Sequence, residues 1–309
     1  MGSAFKRAIR CYWRAILVTL APILCYAWGF QGHILVAQIA YLQLKPSVQH
    51  RIDQMSQQFL YRTHWQDKML SGSNYPNVST FAQLTVLPDT WRNKTIREVY
   101  QKYRVGVPAA LADIADATTG QWHYINRRYP QPPQPCHSIK PPHIIDALRR
   151  IQSAITTTTN PQTQMVNLIF LAHLVGDIFQ PLHTFSLTLN NGQSDAGGNL
   201  YWVYTHQNKK VNLHKIWDNG VGLLNKSRRI GPLAIELAQA PTVKRPAIST
   251  NNWCAITTYN RQYAPEIYSV SAGDTIRTTY YIRGQQLARQ QLILAGRQLS
   301  STLNALFSS

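Results

Sequence analysis

Two pairs of histidine and aspartate with helical spacing are the first sign of chemistry in this sequence. His173 and Asp177 lie in "HLVGD", and His214 and Asp218 lie in "HKIWD", so that each carboxylate follows its imidazole by four positions. Residues four apart on an α-helix share one face, and each pair would therefore present both groups to one point. Because a single pair of this kind is more often a surface ion pair than a set of metal ligands, the other histidines and acids decide between the two interpretations.

Further candidates accumulate along the chain. His33 lies near the start of the first helical segment, Asp89 lies in "LPDTWR", His123 lies in "WHYIN" and His183 lies in "QPLHTF". Zinc is a borderline-soft cation that favours imidazole nitrogen supported by carboxylate oxygen. The combined set of histidines and aspartates therefore predicts a multinuclear zinc site.

The elements that must position these residues are mostly helical. Apolar residues recur at helical spacing in "HILVAQIAYLQL", "PHIIDALRRIQSAI", "TQMVNLIFLAHLVGDIF" and "GQQLARQQLILAGRQLSSTLNALF". The prolines of "NRRYPQPPQPCHSIKPPH" predict an irregular surface loop, and alternating bulky residues in "NLYWVYTHQNKKVNLH" predict a β-hairpin. We therefore expect an all-α fold, a single compact domain of many helices over residues 28–309 with one small hairpin.

The first 27 residues have the pattern of a secretory signal peptide. A basic segment with Lys6 and three arginines precedes the apolar run "AILVTLAPIL", which is too short to span a bilayer, and small residues end at Ala27. Cleavage after Ala27 would make Trp28 the first residue of a secreted or periplasmic protein. An uncleaved signal anchor is the alternative, and we expect no other membrane insertion.

Composition restricts the class of partner. The chain has 309 residues, of which 44% are hydrophobic and 14% charged, which suits a large core rather than disorder. Its 31 basic residues against 13 acidic ones give a formal charge of +18, which attracts nucleic acid or anionic lipid, although a generally basic secreted protein is an equal alternative. After signal removal Cys136 and Cys254 remain, and they form either one disulfide or two free thiols.

Six motifs together resemble one enzyme family. "WGFQGH", "DTWR", "WHYIN", "HLVGDIFQPLH", "DAGGN" and "NLHKIWD" occur in the order and approximate spacing of the trinuclear-zinc, single-strand-specific nucleases of fungi and plants, the type I nucleases. Bacterial zinc-dependent phospholipases C share this helical fold and metal cluster. They typically end the ligand set with Glu and place the early histidine further from the terminus, so Asp218 and the spacing from Trp28 to His33 favour a nuclease.

The resemblance implies three zinc ions and their ligands. One ion would be held by Asp89, His123, His173 and a bridging Asp177. A second would be held by His33, Asp177 and the amine nitrogen and carbonyl oxygen of Trp28 as the mature N-terminus. The third and more exposed ion would take His183, His214 and Asp218.

The resemblance also implies roles in catalysis and substrate binding. Arg92 would contact the reacting phosphate and act with Asp89 and Asp177 in catalysis, and Asn199 of "DAGGN" would lie near the cleft. Tyr124 would stack on a base beside Asn126, where the fungal enzymes usually have Asp. Because Asn offers donors as well as an acceptor, the base preference stays open.

The expected function is hydrolysis of single-stranded DNA and RNA to products with 5′-phosphates, with nucleoside 3′-monophosphates as further substrates. A zinc-dependent phospholipase C and a nucleic-acid-binding relative without catalysis are the alternatives. Phe179 replaces a histidine of many relatives, and the cysteines of the family's usual second disulfide are missing.

The other conspicuous residues are interpreted structurally. Surface or structural roles are expected for His50, His64, His137, His143 and His206, and core positions for Trp65, Trp202, Trp217 and Trp253. Arg283, Arg289 and Arg297 of the last helical segment are expected on a solvated face.

Overall fold

The computed structural model describes residues 28–63, 75–225, 229–241 and 252–308. Within them the helices, in chain order, are α1 (Phe30–Tyr41), α2 (Pro46–Thr63), α3 (Thr80–Leu84), α4 (Leu87–Trp91), α5 (Ile96–Lys102), α6 (Ile144–Thr157), α7 (Pro161–Phe179), α8 (Leu213–Asp218), α9 (Ile230–Ala238), α10 (Trp253–Asn260), α11 (Ala264–Ile267) and α12 (Thr278–Phe307). Short 3₁₀ turns cover Ala109–Ile114, Thr119–His123, Cys136–Ser138, Pro181–His183, Gly220–Gly222 and Arg261–Tyr263. The predicted all-α class is confirmed.

Helix α7 is the centre of the fold. The Asn160 side chain caps its N-terminus by accepting hydrogen bonds from the backbone N–H groups of Gln162 and Thr163, and Pro161 occupies the first turn. Its residues are apolar on nearly every face and almost all are buried, which requires neighbours on all sides. Those neighbours are α1, α2, α6, α10 and α12, and the main hydrophobic core lies between them.

The predicted hairpin is confirmed. Strands β3 (Trp202–Tyr204) and β4 (Lys210–Asn212) pair antiparallel, with Trp202 opposite Asn212. The sequence did not predict a second pair of strands, β1 (Arg127–Tyr129) and β2 (Phe185–Leu187), which are parallel. The segment that was predicted to be an irregular loop therefore begins with a strand. Strands of three residues are too short to produce a recognisable alternation, which explains why the pattern did not reveal them.

The tryptophans predicted to lie in the core differ in their burial. Trp217 and Trp253 are buried as predicted, whereas the prediction of a core position is wrong for Trp202, whose side chain is 38% exposed. It lies on the hairpin with the Lys210 Nζ atom 5.2 Å from its ring centroid. A two-stranded antiparallel sheet can have one face on the core and the other in solvent, so a large aromatic side chain on the outer face is not enclosed.

His143 has the structural role expected of it, and two arginines that were expected on a solvated face have partners. His143 caps α6 by accepting a hydrogen bond from the Asp146 N–H group. Arg289 pairs with Glu236, and Arg297 donates to the carbonyl of Ala240. His64, Trp65 and the predicted signal peptide over residues 1–27 lie outside the described residues.

A disulfide joins Cys136 to Cys254, which settles the alternative that the sequence left open. It connects the 3₁₀ turn after β1 to α10 across 118 positions of sequence, and so ties the proline-rich loop to the helical body. Among the described residues, none of the helices combines the length and the apolar character that crossing a bilayer requires.

Candidate metal centre

Two helices carry the histidine–aspartate pairs. His173 and Asp177 lie in α7, with 3.4 Å between the His173 Nε2 and Asp177 Oδ2 atoms. His214 and Asp218 lie in α8, with 3.3 Å between the His214 Nε2 and Asp218 Oδ2 atoms. Each pair therefore faces one point, as the spacing predicts, and both pairs are buried.

His123 and Asp89 complete a group around the α7 pair. The 3₁₀ turn Thr119–His123 brings the His123 Nδ1 atom to 2.9 Å from Asp177 Oδ2 and 3.0 Å from His173 Nε2. Asp89 lies in the single turn α4, and its Oδ1 atom is 3.9 Å from His123 Nδ1 and 3.7 Å from His173 Nε2. Four side chains from three elements thus direct their donor atoms into one small volume.

The Asp177 carboxylate faces two groups at once. Its Oδ2 atom points to His123 and His173, whereas its Oδ1 atom lies 3.3 Å from the His33 Nε2 atom on α1. His33 stacks on His173 with 3.6 Å between ring centroids, and with Asp89 and His173 it forms a second group that could hold a metal ion. This arrangement suits a carboxylate that is shared between two neighbouring ions.

A third group forms around α8. The Nε2 atoms of His183 and His214 are 3.1 Å apart, and the Asp218 Oδ1 atom lies 3.8 Å from His183 Nε2. His183 ends the 3₁₀ turn Pro181–His183, which directly follows α7. The chain therefore passes from the first group to the third within a few residues.

Backbone carbonyls orient three of the imidazoles. The Nδ1 atoms of His173, His183 and His214 lie 2.7, 2.6 and 2.6 Å from the carbonyl oxygens of Thr85, His123 and Gly197. A carbonyl can only accept, so each Nδ1 carries the proton and each Nε2 presents a lone pair. This is the arrangement that fixes a metal-binding histidine in position.

The buried donors fit a bound cation. Both oxygens of Asp89, both ring nitrogens of His33, His123 Nε2 and Asp177 Oδ1 have no hydrogen-bond partner among the described residues. Each such buried polar atom costs about 1–3 kcal/mol when left unsatisfied. Divalent metal ions would satisfy the carboxylate oxygens and one ring nitrogen of His33, and imidazole with carboxylate is the donor set of zinc.

Burial also opposes charge in the protein part of the centre. It raises the pKa of Asp177, and it raises the pKa of Asp89 to about 6 against the lowering effect of His173 and Arg92. Burial likewise lowers the pKa of His173 to about 4. A cation bound between these groups would keep the carboxylates ionised and the imidazoles neutral, which is the state that binds metal.

Arg92 supplies the positive charge nearest to the groups. Its guanidinium is 3.9 Å from Asp89 Oδ1, and its side chain is 11% exposed. The charge of Arg92 contributes to lowering the pKa values of His33, His123 and His183, after the larger effect of burial in each case. Arg92 therefore lies close enough to influence all three groups, from a side chain that is largely buried but keeps some exposure to solvent.

The three predicted substrate-binding residues have different environments. Tyr124 is half-buried and Asn126 is exposed, and they follow His123 by one and three positions. The Asn199 side chain donates a hydrogen bond to the Ala196 carbonyl at 2.8 Å, so that part of it holds the "DAGGN" turn. In this turn Gly197 has φ of +63°, and a Cβ there would lie 2.3 Å from the Leu182 carbonyl oxygen. The turn thus brings the Gly197 carbonyl to His214.

Trp28 lies at the start of the described chain. Its side chain is fully buried, and the next residue, Gly29, donates its N–H group to the Asp218 carbonyl at 2.8 Å. This hydrogen bond joins the beginning of α1 to the end of α8. The first residues of the described chain are therefore next to the element that carries the third group.

Sequence reasoning missed two residues that support the centre. The Gln180 side chain donates to Asp218 Oδ1 at 2.8 Å and also accepts from the Leu182 N–H group, and it is fully buried. Gly176 packs against His33, because a Cβ at this position would lie 2.8 Å from His33 Nδ1. An isolated glycine within a strongly helical segment was the available signal for Gly176, since such a residue usually has a packing reason.

A helical domain with buried histidine–aspartate groups is the kind of scaffold that a metal-dependent hydrolase requires. The family model S1/P1 Nuclease matches residues 28–308. The chain therefore belongs to the S1/P1 nuclease family, a family of hydrolases, and the predicted resemblance and enzyme class are confirmed.

Curated relatives agree with this family. The chain is 31% identical over 158 residues to Endonuclease 4 of Arabidopsis thaliana, covering 46% of this chain and 50% of that protein. It is 24% identical to Endonuclease 1 of the same plant across 100% of this chain and 96% of that protein. It is 27% identical over 204 residues to Nuclease S1 of Aspergillus oryzae, covering 64% of this chain and 55% of that protein. The chain thus spans about half the length of several of the relatives that it matches.

The contact between Gly176 and His33 leads to a prediction. Gly176→Ala should displace the His33 ring, because a helical Cβ cannot move away from it, and should weaken metal binding about 10- to 100-fold. Titration of the metal-free protein with zinc measures the effect. Gly106→Ala is the matched control, since a Cβ at Gly106 meets nothing within 4 Å. Equal zinc affinity in the two variants would contradict a supporting role for Gly176.

Proposed function

We propose that this protein is a zinc-dependent endonuclease that hydrolyses phosphodiester bonds in single-stranded DNA and RNA and leaves 5′-phosphates. Nucleoside 3′-monophosphates are further substrates in this proposal. The observation that carries it is the orientation of the Asp177 carboxylate, with one oxygen toward His33 and the other toward His123 and His173. The membership of the chain in a nuclease family gives this geometry its interpretation. The excess of basic residues supports a polyanionic substrate.

The proposed ligand sets are those that the resemblance implies. Asp89, His123, His173 and Asp177 would hold one zinc ion, and His33, Asp177 and the terminal amine and carbonyl of Trp28 would hold a second. His183, His214 and Asp218 would hold the third. When bound, the zinc ions would lower the pKa of water enough to supply a hydroxide nucleophile at moderate pH.

The residues around the ligands would then bind and orient the substrate. The Arg92 guanidinium offers a planar fork of donors to phosphate oxygens, which gain negative charge in the transition state. Tyr124 is only half-buried, and a residue that stacks on a base must be accessible. Asn126 would contact the edge of that base. Asn199 would contribute from the turn that also orients His214.

The proposal includes maturation of the chain. Residues 1–27 would be a signal peptide, and cleavage after Ala27 would release a secreted or periplasmic protein whose first residue is Trp28. A free α-amine has a lone pair for a metal, whereas an amide nitrogen has delocalised its lone pair into the carbonyl. Signal removal would therefore create a zinc ligand as well as release the protein.

The function is tested by comparing substrates. The purified mature protein should cleave single-stranded DNA and RNA, leave phosphatidylcholine intact, lose activity on chelation and recover it with zinc, at close to three ions per chain by elemental analysis. Asp177→Ala should lose metal and activity together, while Asp116→Ala, at an exposed carboxylate, should lose neither. Hydrolysis of phosphatidylcholine without nuclease activity would favour the phospholipase alternative, and binding of nucleic acid without cleavage by zinc-loaded protein would favour the inactive relative.

Arg92 gives a second test. Arg92→Ala should retain zinc but lower kcat about 10²- to 10³-fold, because a contact that strengthens in the transition state mainly affects turnover. Arg97→Ala is the matched control, since Arg97 is exposed and pairs with Asp116 at the surface. An unchanged kcat in Arg92→Ala would remove this residue from the mechanism.

The role of the N-terminus is tested with an extended form. Protein that begins with extra residues before Trp28 should bind less zinc and lose most of its nuclease activity, and proteolytic trimming to Trp28 should restore both. Zinc content by elemental analysis and cleavage of single-stranded DNA are the measurements. If both forms are equally active at matched zinc content, Trp28 is a buried aromatic residue and not a ligand.

A further inference from the structure

Strand β1 leads from the candidate metal centre to a basic region. His123 is five residues before Arg128, so at most about 18 Å of backbone separates them. The Ile125 N–H group donates to the His183 carbonyl at 2.8 Å, and β1 then pairs with β2, which begins two residues after His183. Both strands therefore leave the centre side by side.

Arg127 is a buried cation in this region. Its side chain donates to Thr257 Oγ1 at 2.7 Å, to Thr258 Oγ1 at 3.0 Å and to the Gln134 carbonyl at 2.8 Å, while its Nε atom has no partner among the described residues. Burial and then the charge of Arg261 lower the pKa of Arg127. The neutral partners satisfy hydrogen bonds but leave the positive charge uncompensated.

Arg261 is held close to the same strand. Its guanidinium donates to the Arg128 carbonyl at 2.6 Å and to the Gln131 carbonyl, and it lies 5.0 Å from the ring centroid of Tyr129. No ion pair within the described part of the chain joins Arg127, Arg128 or Arg261 to a carboxylate. Three arginines thus share one region without a counter-ion from the protein.

A cavity of about 200 Å³ opens beside these arginines, and its lining residues are Arg128, Gln131, Pro132, Gln134, Thr188 and Gly192. The exposed Arg128 side chain donates one hydrogen bond, to the Gly192 carbonyl at 3.1 Å, out of the five N–H groups of a guanidinium. The carboxylate of the nearby Asp195 is buried and already accepts from the Leu187 N–H group and the Tyr268 hydroxyl, at 2.8 and 2.6 Å. Arg128 is therefore the one charged residue among those that line the cavity, and its charge is positive.

We propose that this cavity binds a phosphate of single-stranded nucleic acid, a few nucleotides away from the bond that is cut, with Arg128 donating to the phosphate oxygens. The inference rests on the proposed nuclease function. A guanidinium matches phosphate in geometry, and the uncompensated charges of Arg127 and Arg261 favour an anion at this position. A polyanionic strand that passes Asn126 can reach Arg128, because the two residues are separated by at most about 7 Å of backbone.

This subsite would position the substrate without entering the reaction. A phosphate contact remote from the cut bond is made equally in the ground state and the transition state, so its loss raises KM and leaves kcat unchanged. The loss of this contact would affect only substrates that are long enough to reach the cavity. Length dependence therefore distinguishes the subsite from a general effect on the metal centre.

The test compares Arg128→Ala with wild type on an octanucleotide and a dinucleotide of the same base. KM for the octanucleotide should rise about threefold to tenfold with kcat unchanged, and both constants for the dinucleotide should stay at wild-type values. The slope of log affinity for the octanucleotide against log salt should fall by about 0.7, the value for one phosphate contact on a single strand.

Two further variants serve as controls. Arg128→Lys keeps the positive charge and should recover part of the affinity for the octanucleotide. Such a recovery would show that the loss in Arg128→Ala follows from the missing charge and not from misfolding. Arg62→Ala removes an exposed arginine from α2 and should match wild type on both substrates. Helix α2 contacts α7 where Ser56 meets Met165, and Met165 is about 18 Å along α7 from Asp177.

The outcomes separate the two proposals. Wild-type protein that cleaves neither substrate would refute the nuclease function itself. If wild type cleaves both, the subsite is overturned by an unchanged octanucleotide KM in Arg128→Ala, or by an equal rise of KM on both substrates. A rise of the same size in Arg62→Ala would also overturn it, since the effect would then follow from net charge.

Discussion

The rest of this structure depends on the burial of imidazoles and carboxylates around Asp177. Polar groups without partners are costly inside a protein, and here a carboxylate, three histidines and Asp89 meet in the interior of a helical domain. Helix α7 can hold them because it is enclosed on all sides, so that its last turns are fixed by the core rather than by loops. The fold therefore holds a preorganised donor set at a cost in folding free energy, and divalent cations would offset that cost by binding to it.

Orientation comes from the backbone as much as from the helices. Three histidines are fixed through Nδ1 by the carbonyls of Thr85, His123 and Gly197, each of which belongs to a turn or the end of a short element. One candidate ligand orients another, since the carbonyl of His123 accepts from His183. This hydrogen bond joins a residue of the first group to a residue of the third.

Four arginines lie at the candidate metal centre or along the strand that leaves it. Arg92 lies next to Asp89 with part of its side chain open to solvent, while Arg127, Arg128 and Arg261 follow the strand that leaves His123. A substrate with repeated negative charges would meet cations along its length, and the cations near the cut bond would differ in role from those further away. The disulfide between Cys136 and Cys254 holds the loop after β1 against the helix that precedes Arg261.

The sequence alone determined the features that depend on local spacing. The pairs His173–Asp177 and His214–Asp218 follow from the helical repeat, and the long helices and the hairpin follow from apolar periodicity. Tertiary structure decided which Asp177 oxygen faces which histidine, that Gln180 holds Asp218 and that Gly176 makes room for His33. It also decided that Trp202 is exposed and that β1 pairs with β2. These features join residues distant in sequence, and periodicity within one segment carries no information about which other segment will pack against it.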